Sequence, residues 1–267
     1  MVDTEFALSA RGVRMEYRDR SSDVSLVAIE RMDLDVADGE FVSLLGPSGC
    51  GKSTFLKIVN GLLLSTAGDI RVRSLGKARE DAMVFQDAAL FPWFSVLDNV
   101  AYGLVCAGVS RAEARSRAMP FIDLVGLSGF EGKYPYQLSG GMQQRANLAR
   151  ALTVDAAILL MDEPFASLDA QTREAMQAEL LRIWSAAKKT VIFVTHQIDE
   201  AVYLSDRVIV MSARPGRVLA DIRVELPRPR SLDVKRTPLF ATYEEQISKL
   251  IASQHQHLGL GSQRDEA

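Results

Sequence analysis

Polar and apolar positions alternate in short runs from residue 5 to residue 45, with turn-forming residues at Arg20-Ser21-Ser22-Asp23 and Asp38-Gly39. A period of two marks half-buried strands, so this stretch predicts antiparallel strands. They lead into an apolar run, Phe41-Val42-Ser43-Leu44-Leu45, that reads as a buried strand. The pattern then becomes helical over Thr54 to Leu64, with Phe55, Leu56, Ile58, Val59 and Leu62 as its apolar positions. Three later runs, Ala157 to Met161, Val191 to Val194 and Val208 to Met211, are too short for helices and lack a 3.6 period. Helical patterns separate them, notably Gln171 to Ala187. This alternation predicts an α/β fold with a mostly parallel sheet covered by helices. Asp162 and Glu163 stand just past the first run, and Thr195 and His196 just past the second. Ligands of open parallel sheets bind at that edge.

Between Ala88 and Ala156 helical patterns dominate, with breaks at Phe91-Pro92, Ser128-Gly129 and Tyr134-Pro135. We read this as a helical insertion in the α/β core. Beyond about Pro227 a basic strip, Pro227-Arg228-Pro229-Arg230, leads to a last helix around Thr242 to Gln254. The polar end, Gly259 to Ala267, is expected to be disordered.

Composition narrows the class. A chain of 267 residues suffices for one large domain or a core with a subdomain. Net charge is −3, which does not point to nucleic acid. No run approaches the roughly 18 apolar residues of a membrane helix. Met1-Val2-Asp3-Thr4-Glu5 has neither the basic start nor the apolar stretch of a signal peptide. The two cysteines, Cys50 and Cys106, are expected to be free thiols in a reducing cytosol.

The chemistry begins at Gly46-Pro47-Ser48-Gly49-Cys50-Gly51-Lys52-Ser53, which fits the phosphate-binding pattern G-x-x-x-x-G-K-[ST] between a strand and a helix. Glycines let backbone N–H groups converge on phosphate oxygens, and the helix N-terminus adds partial positive charge. Lys52 would reach the β- and γ-phosphates of ATP and Ser53 would ligate Mg²⁺, with Thr54 beside them. After a phosphate loop, the apolar strand ending in Asp162-Glu163 reads as a magnesium-holding carboxylate followed by a general base. Its bland alternative is an acidic pair at a helix N-terminus. Leu138-Ser139-Gly140-Gly141-Met142-Gln143-Gln144-Arg145 opens a helix running to about Leu152. A simple capped helix does not explain two poor helix formers, Gly140 and Gly141, in its first turn; a second phosphate-binding surface does.

These motifs together resemble the ABC-transporter ATPases over roughly residues 6 to 230. The resemblance implies a P-loop fold with a RecA-like, mostly parallel core, an N-terminal antiparallel β subdomain and a helical subdomain at about 88–156. The ATPase domain is expected over 1–230, with a helical tail over 231–267. It also implies a head-to-tail homodimer in which ATP lies between the phosphate loop of one subunit and the signature segment of the other, with Ser139, Gly140, Gly141 and Gln143 acting in trans. Tyr17 looks like the aromatic that stacks on adenine. Gln86 looks like the loop glutamine that contacts Mg²⁺ and the attacking water. Asp169 looks like the residue that crosses the dimer, and His196, one of three histidines, like the switch histidine. Three departures are Gln197 where many members of that family carry aspartate, Ala166-Ser167 where they often carry Gly-Ala, and a short Gly68–Gln86 segment.

Phe91-Pro92-Trp93-Phe94 is either core or, as the resemblance implies, part of a groove gripping a membrane subunit. Leu90-Phe91-Pro92-Trp93, Asp98-Asn99-Val100, Ala201 to Arg207, Arg214-Pro215-Gly216 and Leu226 to Arg230 are similar to the nitrate/sulfonate/taurine importer ATPases. That implies a peripheral protein on the cytoplasmic face of the cell membrane, working with permease subunits and a substrate-binding protein. A solvated, proline-stiffened linker is the plain reading of Pro227 to Arg230. A soluble ABC-type ATPase and an exporter ATPase are the alternatives.

Overall fold

The computed structural model describes residues 6–18, 25–73, 81–154, 156–187 and 189–259. The segment Met1 to Glu5, the turn expected at Arg20 to Asp23, part of Gly68–Gln86 and the polar end from residue 260 lie outside the described residues. The chain begins with β1 (Phe6–Arg18), β2 (Ser25–Ala37), β3 (Phe41–Leu45), α1 (Lys52–Val59), β4 (Ala67–Val72) and β5 (Asp81–Val84). Three helices follow, α2 (Val96–Cys106), α3 (Arg111–Leu124) and α4 (Gly140–Thr153), with a 3-10 turn at Pro135–Gln137 before the last. Then come β6 (Ile158–Asp162), α5 (Ala170–Ala187), β7 (Thr190–Thr195), α6 (Ile198–Leu204), β8 (Arg207–Met211), β9 (Gly216–Arg223) and α7 (Pro238–Gly259).

Two compact units share these elements, Met1–Arg73 with Ile192–Ala267, and Ser74–Val191. In the first, β1 pairs antiparallel with β2, as the alternating pattern predicts, and on its other edge with β4. β3 pairs parallel with β8, and β9 lies antiparallel to β8 and parallel to β2. All five residues of β3 are buried, so it reads as a continuous apolar run instead of an alternation. Phe41 of β3 meets Phe193 with ring centroids 5.9 Å apart. In the second unit β5 and β6 are parallel, and α2, α3 and α4 supply the helical character predicted for this stretch. β6 is buried throughout.

Two helix boundaries differ from the sequence pattern. α1 stops at Val59, five residues short of Leu64, because Gly61 turns left-handed at φ +77. The Gly61 and Leu62 amides then bond back to the carbonyls of Ile58 and Lys57, which satisfies the last turn. Leu62 and Leu64, which extended the apolar spacing, are exposed. α7 starts at Pro238, four residues before Thr242. The Thr237 hydroxyl accepts the Phe240 amide and Pro238 takes the first helical position, where its missing N–H costs nothing.

The linker reading of Pro227 to Arg230 also fails. Arg230 is buried, and its guanidinium donates to the carbonyls of Val202, Tyr203 and Ser205 at the end of α6, at 3.2, 2.9 and 2.8 Å. Burial pushes its pKa down to about 10, so the group stays charged at neutral pH. Arg228 pairs with Asp206 at 2.8 Å. The strip closes the carbonyl end of a helix.

Candidate functional site

In the first unit the phosphate loop leaves β3 and enters α1 through Gly51, whose φ is +99. A Cβ there would lie 2.8 Å from Ile29 Cγ1 and 2.9 Å from the Ala28 carbonyl oxygen, so no other residue fits. No side chain caps α1 and no acidic residue occupies its first turn. A helix start of this kind suits an anion. Lys52 is buried, and its ammonium donates to the carbonyls of Gly46 and Pro47 at 2.7 and 2.9 Å. Cys50 Sγ lies 3.7 Å from the same nitrogen. Ser48 and Gly49 form the exposed apex, where Arg214 Nε donates to the Gly49 carbonyl at 3.2 Å. Ser53 and Thr54 open the helix, half-buried. Tyr17, on β1, is 40% exposed beside the loop, with its hydroxyl 3.5 Å from Thr54 Oγ1.

His196 is exposed directly after β7. The residue before it is anchored: Thr195 Oγ1 donates to Glu200 Oε2 at 2.6 Å and accepts the Gln197 amide at 3.0 Å. Gln197 is the N-cap of α6 without a side-chain capping bond.

In the second unit Val84 of β5 pairs with Met161 of β6 in a parallel register. Gln86 and Glu163 therefore each stand two residues beyond this paired rung, at the same end of adjacent strands. Asp162 is buried at the end of β6. Glu163 holds φ +46, a left-handed backbone that a non-glycine residue adopts at a cost of about 1–3 kcal/mol. The acidic pair thus ends a strand; it is not the start of a helix.

Ser139 is the N-cap of α4, accepting the Met142 amide at 3.3 Å. Ser139 and Gly140 are exposed. A Cβ on Gly141 would come 3.2 Å from Leu168 Cδ2, so this glycine also lets the Ser167-Leu168-Asp169 loop approach α4. The Gln143 amide nitrogen donates to the carbonyls of Pro135 and Leu138, which commits that group within its own segment. Asp169 Oδ1 accepts the Thr172 amide at 3.0 Å and starts α5. That bond holds its carboxyl below the usual carboxylate range. Phe91, Trp93, Phe94 and Tyr102 form an aromatic cluster with neighbouring centroids 4.6–6.3 Å apart, from which Trp93 projects 67% exposed.

A family model described as ABC transporter matches residues 29–166. An uncharacterized ABC transporter ATP-binding protein of Methanocaldococcus jannaschii is 49% identical over 228 residues, covering 84% of each chain. This chain is an ATPase subunit of the ABC transporter family. A taurine import ATP-binding protein of Rhizobium johnstonii is 45% identical to this ABC ATPase over 236 residues, 85% of this chain and 89% of the relative. A solved ATP-binding cassette, a dimer in a post-hydrolysis state bound to ADP and Pi, superposes with a TM-score of 0.75 at 30% identity, over 82% of this chain and all of that one. No helix among the described residues is long and apolar enough to cross a membrane.

Several pairings in this ABC ATPase escape a motif reading, although Thr195 and Gln144 themselves lie in segments the sequence singles out. Glu200 and Thr195 form a buried pair, and Gln144 and Asn147 are buried amides on α4. The one available signal was polar residues at core-facing positions of otherwise apolar segments, which spacing alone does not distinguish from surface.

Proposed function

We propose that this ABC ATPase binds MgATP and hydrolyses it to energise an importer of a small anion of the nitrate, sulfonate or taurine kind. The observation that carries the hydrolytic part is Glu163, held left-handed past β6 on the strand end it shares with Gln86. The uncapped start of α1 and Lys52 would bind the phosphates, and Tyr17 would stack on adenine. Ser53, Asp162 and Gln86 suit Mg²⁺, which takes oxygen ligands and would neutralise charge on the phosphates. Glu163 would accept a proton from the water attacking the γ-phosphorus. The β–γ bridging oxygen then leaves with ADP, its charge met by Lys52. His196 would contact the γ-phosphate.

Ser139, Gly140, Gly141, Gln143 and Asp169 would act on the nucleotide of a second copy, in a head-to-tail dimer. Support comes from their place at an exposed helix start and from the dimeric cassette found among solved relatives. The exposed aromatic cluster would seat a permease helix at the cytoplasmic face of the membrane, with a substrate-binding protein delivering the anion. The ATPase domain would span 1–230, with a helical subdomain at about 88–156 and a tail over 231–267. The taurine-importing relative supports the import direction.

Glu163→Gln tests the chemistry. The variant should bind ATP and dimerise while hydrolysing about 10²–10⁴-fold more slowly. Normal turnover would remove Glu163 as the base. Co-purification from gently solubilised membranes tests the coupling: a multi-spanning permease should accompany the chain, and recovery with ribosomes or DNA instead would sink the transport assignment.

A further inference from the structure

Residues 85–95 join β5 to α2 and carry both Gln86 and the aromatic cluster. This loop is held by side chains from two helices. Gln144 Nε2 and Asn147 Nδ2 of α4 both donate to the Phe85 carbonyl, each at 3.1 Å. Arg150, one further turn along, donates to the Ala89 and Ala88 carbonyls at 3.0 and 3.4 Å and to Asn147 Oδ1 at 2.8 Å. Its guanidinium carbon lies 5.9 Å from the Phe91 ring centroid. From the other side Asn99 of α2 accepts the Phe91 amide at 2.8 Å and donates to the carbonyls of Phe91, Phe94 and Ser95.

Positions 144, 147 and 150 are three apart, so they share one face of α4. Gln144 is 2% exposed and Asn147 fully buried, and desolvation pushes the Arg150 pKa down. A core-facing helix stripe is ordinarily apolar, and buried amides are tolerated only when bonded. Here the three polar groups converge on one loop, immediately before Gln86 and immediately before the aromatic cluster. The same helix begins at Ser139-Gly140-Gly141, about 10 Å from Asn147 along its axis. A helix transmits displacement of its first turn to its third as a rigid body.

We infer that Gln144, Asn147 and Arg150 are positioning residues through which α4 carries nucleotide contact at Ser139 to Gln86 and the aromatic cluster of the same subunit. This rests on the functional reading above, in which Ser139 meets the partner's ATP. Engagement of the helix start then moves or stiffens residues 86–94 through the paired amides on Phe85 and the guanidinium on Ala88 and Ala89. The loop's order is set by the occupancy of a site on the other copy.

Hydrogen exchange of the full chain carrying Glu163→Gln, with and without MgATP, tests this. ATP should slow exchange across residues 86–94 in that parent. Adding Asn147→Leu should leave ATP affinity within about twofold, speed exchange of the loop about tenfold, and abolish the ATP-dependent difference. A purely structural staple would instead raise exchange equally with and without ATP. Should Asn147→Leu not fold, Gln144→Met keeps the volume, removes one donor, and should shrink the same difference. An ATP-dependent difference unchanged in a folded variant overturns the inference, as does a parent that binds ATP without any change at 86–94. A parent that binds no ATP overturns the functional reading first.

Discussion

Thr195 Oγ1 donates to the Glu200 carboxylate at 2.6 Å, and both residues are buried on either side of the exposed His196 and the first turn of α6. Because Thr195 Oγ1 also accepts the Gln197 amide, one hydroxyl fixes the backbone before and after His196. Thr195→Val keeps the shape and removes both bonds. It should lower stability by about 1–3 kcal/mol. It should also reduce kcat for ATP hydrolysis more than it changes KM, whereas Thr195→Ser should restore both. Steady-state kinetics with a thermal melt decides it: wild-type kcat in a destabilised Thr195→Val would separate this pair from His196.

The phosphate loop tolerates no side chain at its last glycine. Gly51→Ala would combine φ +99 with a Cβ 2.8 Å from Ile29 Cγ1. We expect at least about 1–3 kcal/mol of lost stability and a weakening of ATP binding of tenfold or more. Titration with a fluorescent ATP analogue measures the binding. Native affinity in this variant would mean the loop does not hold phosphate in the described conformation.

Arg230 is predicted to act as a cap for α6. Arg230→Met preserves the buried stem but strands the carbonyls of Val202, Tyr203 and Ser205. Hydrogen bonds to a charged group contribute about 1.5–3 kcal/mol each in favourable cases, so a loss of several kcal/mol is expected. Arg230 has a folded pKa of about 10, below its unfolded 12.5, so the cost of burying its charge is present below pH 10 and relieved as pH rises through that value. Its own contribution to stability should therefore increase with pH on the alkaline side. Denaturant melts of Arg230→Met and the parent from pH 7 to 10.5 should show their difference widening above about pH 10.

Asp169 joins a helix cap to a candidate dimer contact. Its carboxyl is held below the usual range, chiefly by the Thr172 amide and then the Thr172 hydroxyl. The folded pKa is the lower one, so the cap's contribution is present above the unfolded pKa and fades as pH falls through the folded value. Asp169→Asn keeps an acceptor for Thr172 and removes the charge, whereas Asp169→Ala removes both. We expect exchange at the Thr172 amide to accelerate only in Asp169→Ala, and ATP-dependent dimerisation, read by light scattering, to weaken in both. Normal dimerisation in Asp169→Asn would reduce the residue to a cap.

Local order along the chain determined much of this. The phosphate loop, the strand ending in Asp162-Glu163 and the glycine-opened helix at Ser139 are contiguous patterns whose chemistry follows from residue type at fixed spacing, and a buried strand declares itself by an unbroken apolar run. Helix ends were less legible: Leu62 and Leu64 continued the apolar spacing past Gly61, and Thr237-Pro238 began α7 ahead of its apolar residues, because caps depend on single backbone conformations that periodicity averages away. Tertiary structure alone decided the partners of buried polar groups. Arg230 looked solvated in a proline-rich strip, and nothing in the spacing of Gln144, Asn147 and Arg150 named the loop they hold. Their partners are carbonyls 4 to 62 residues away in sequence. A hydrogen bond between distant segments is fixed by how the chain packs, and no local pattern encodes that distance.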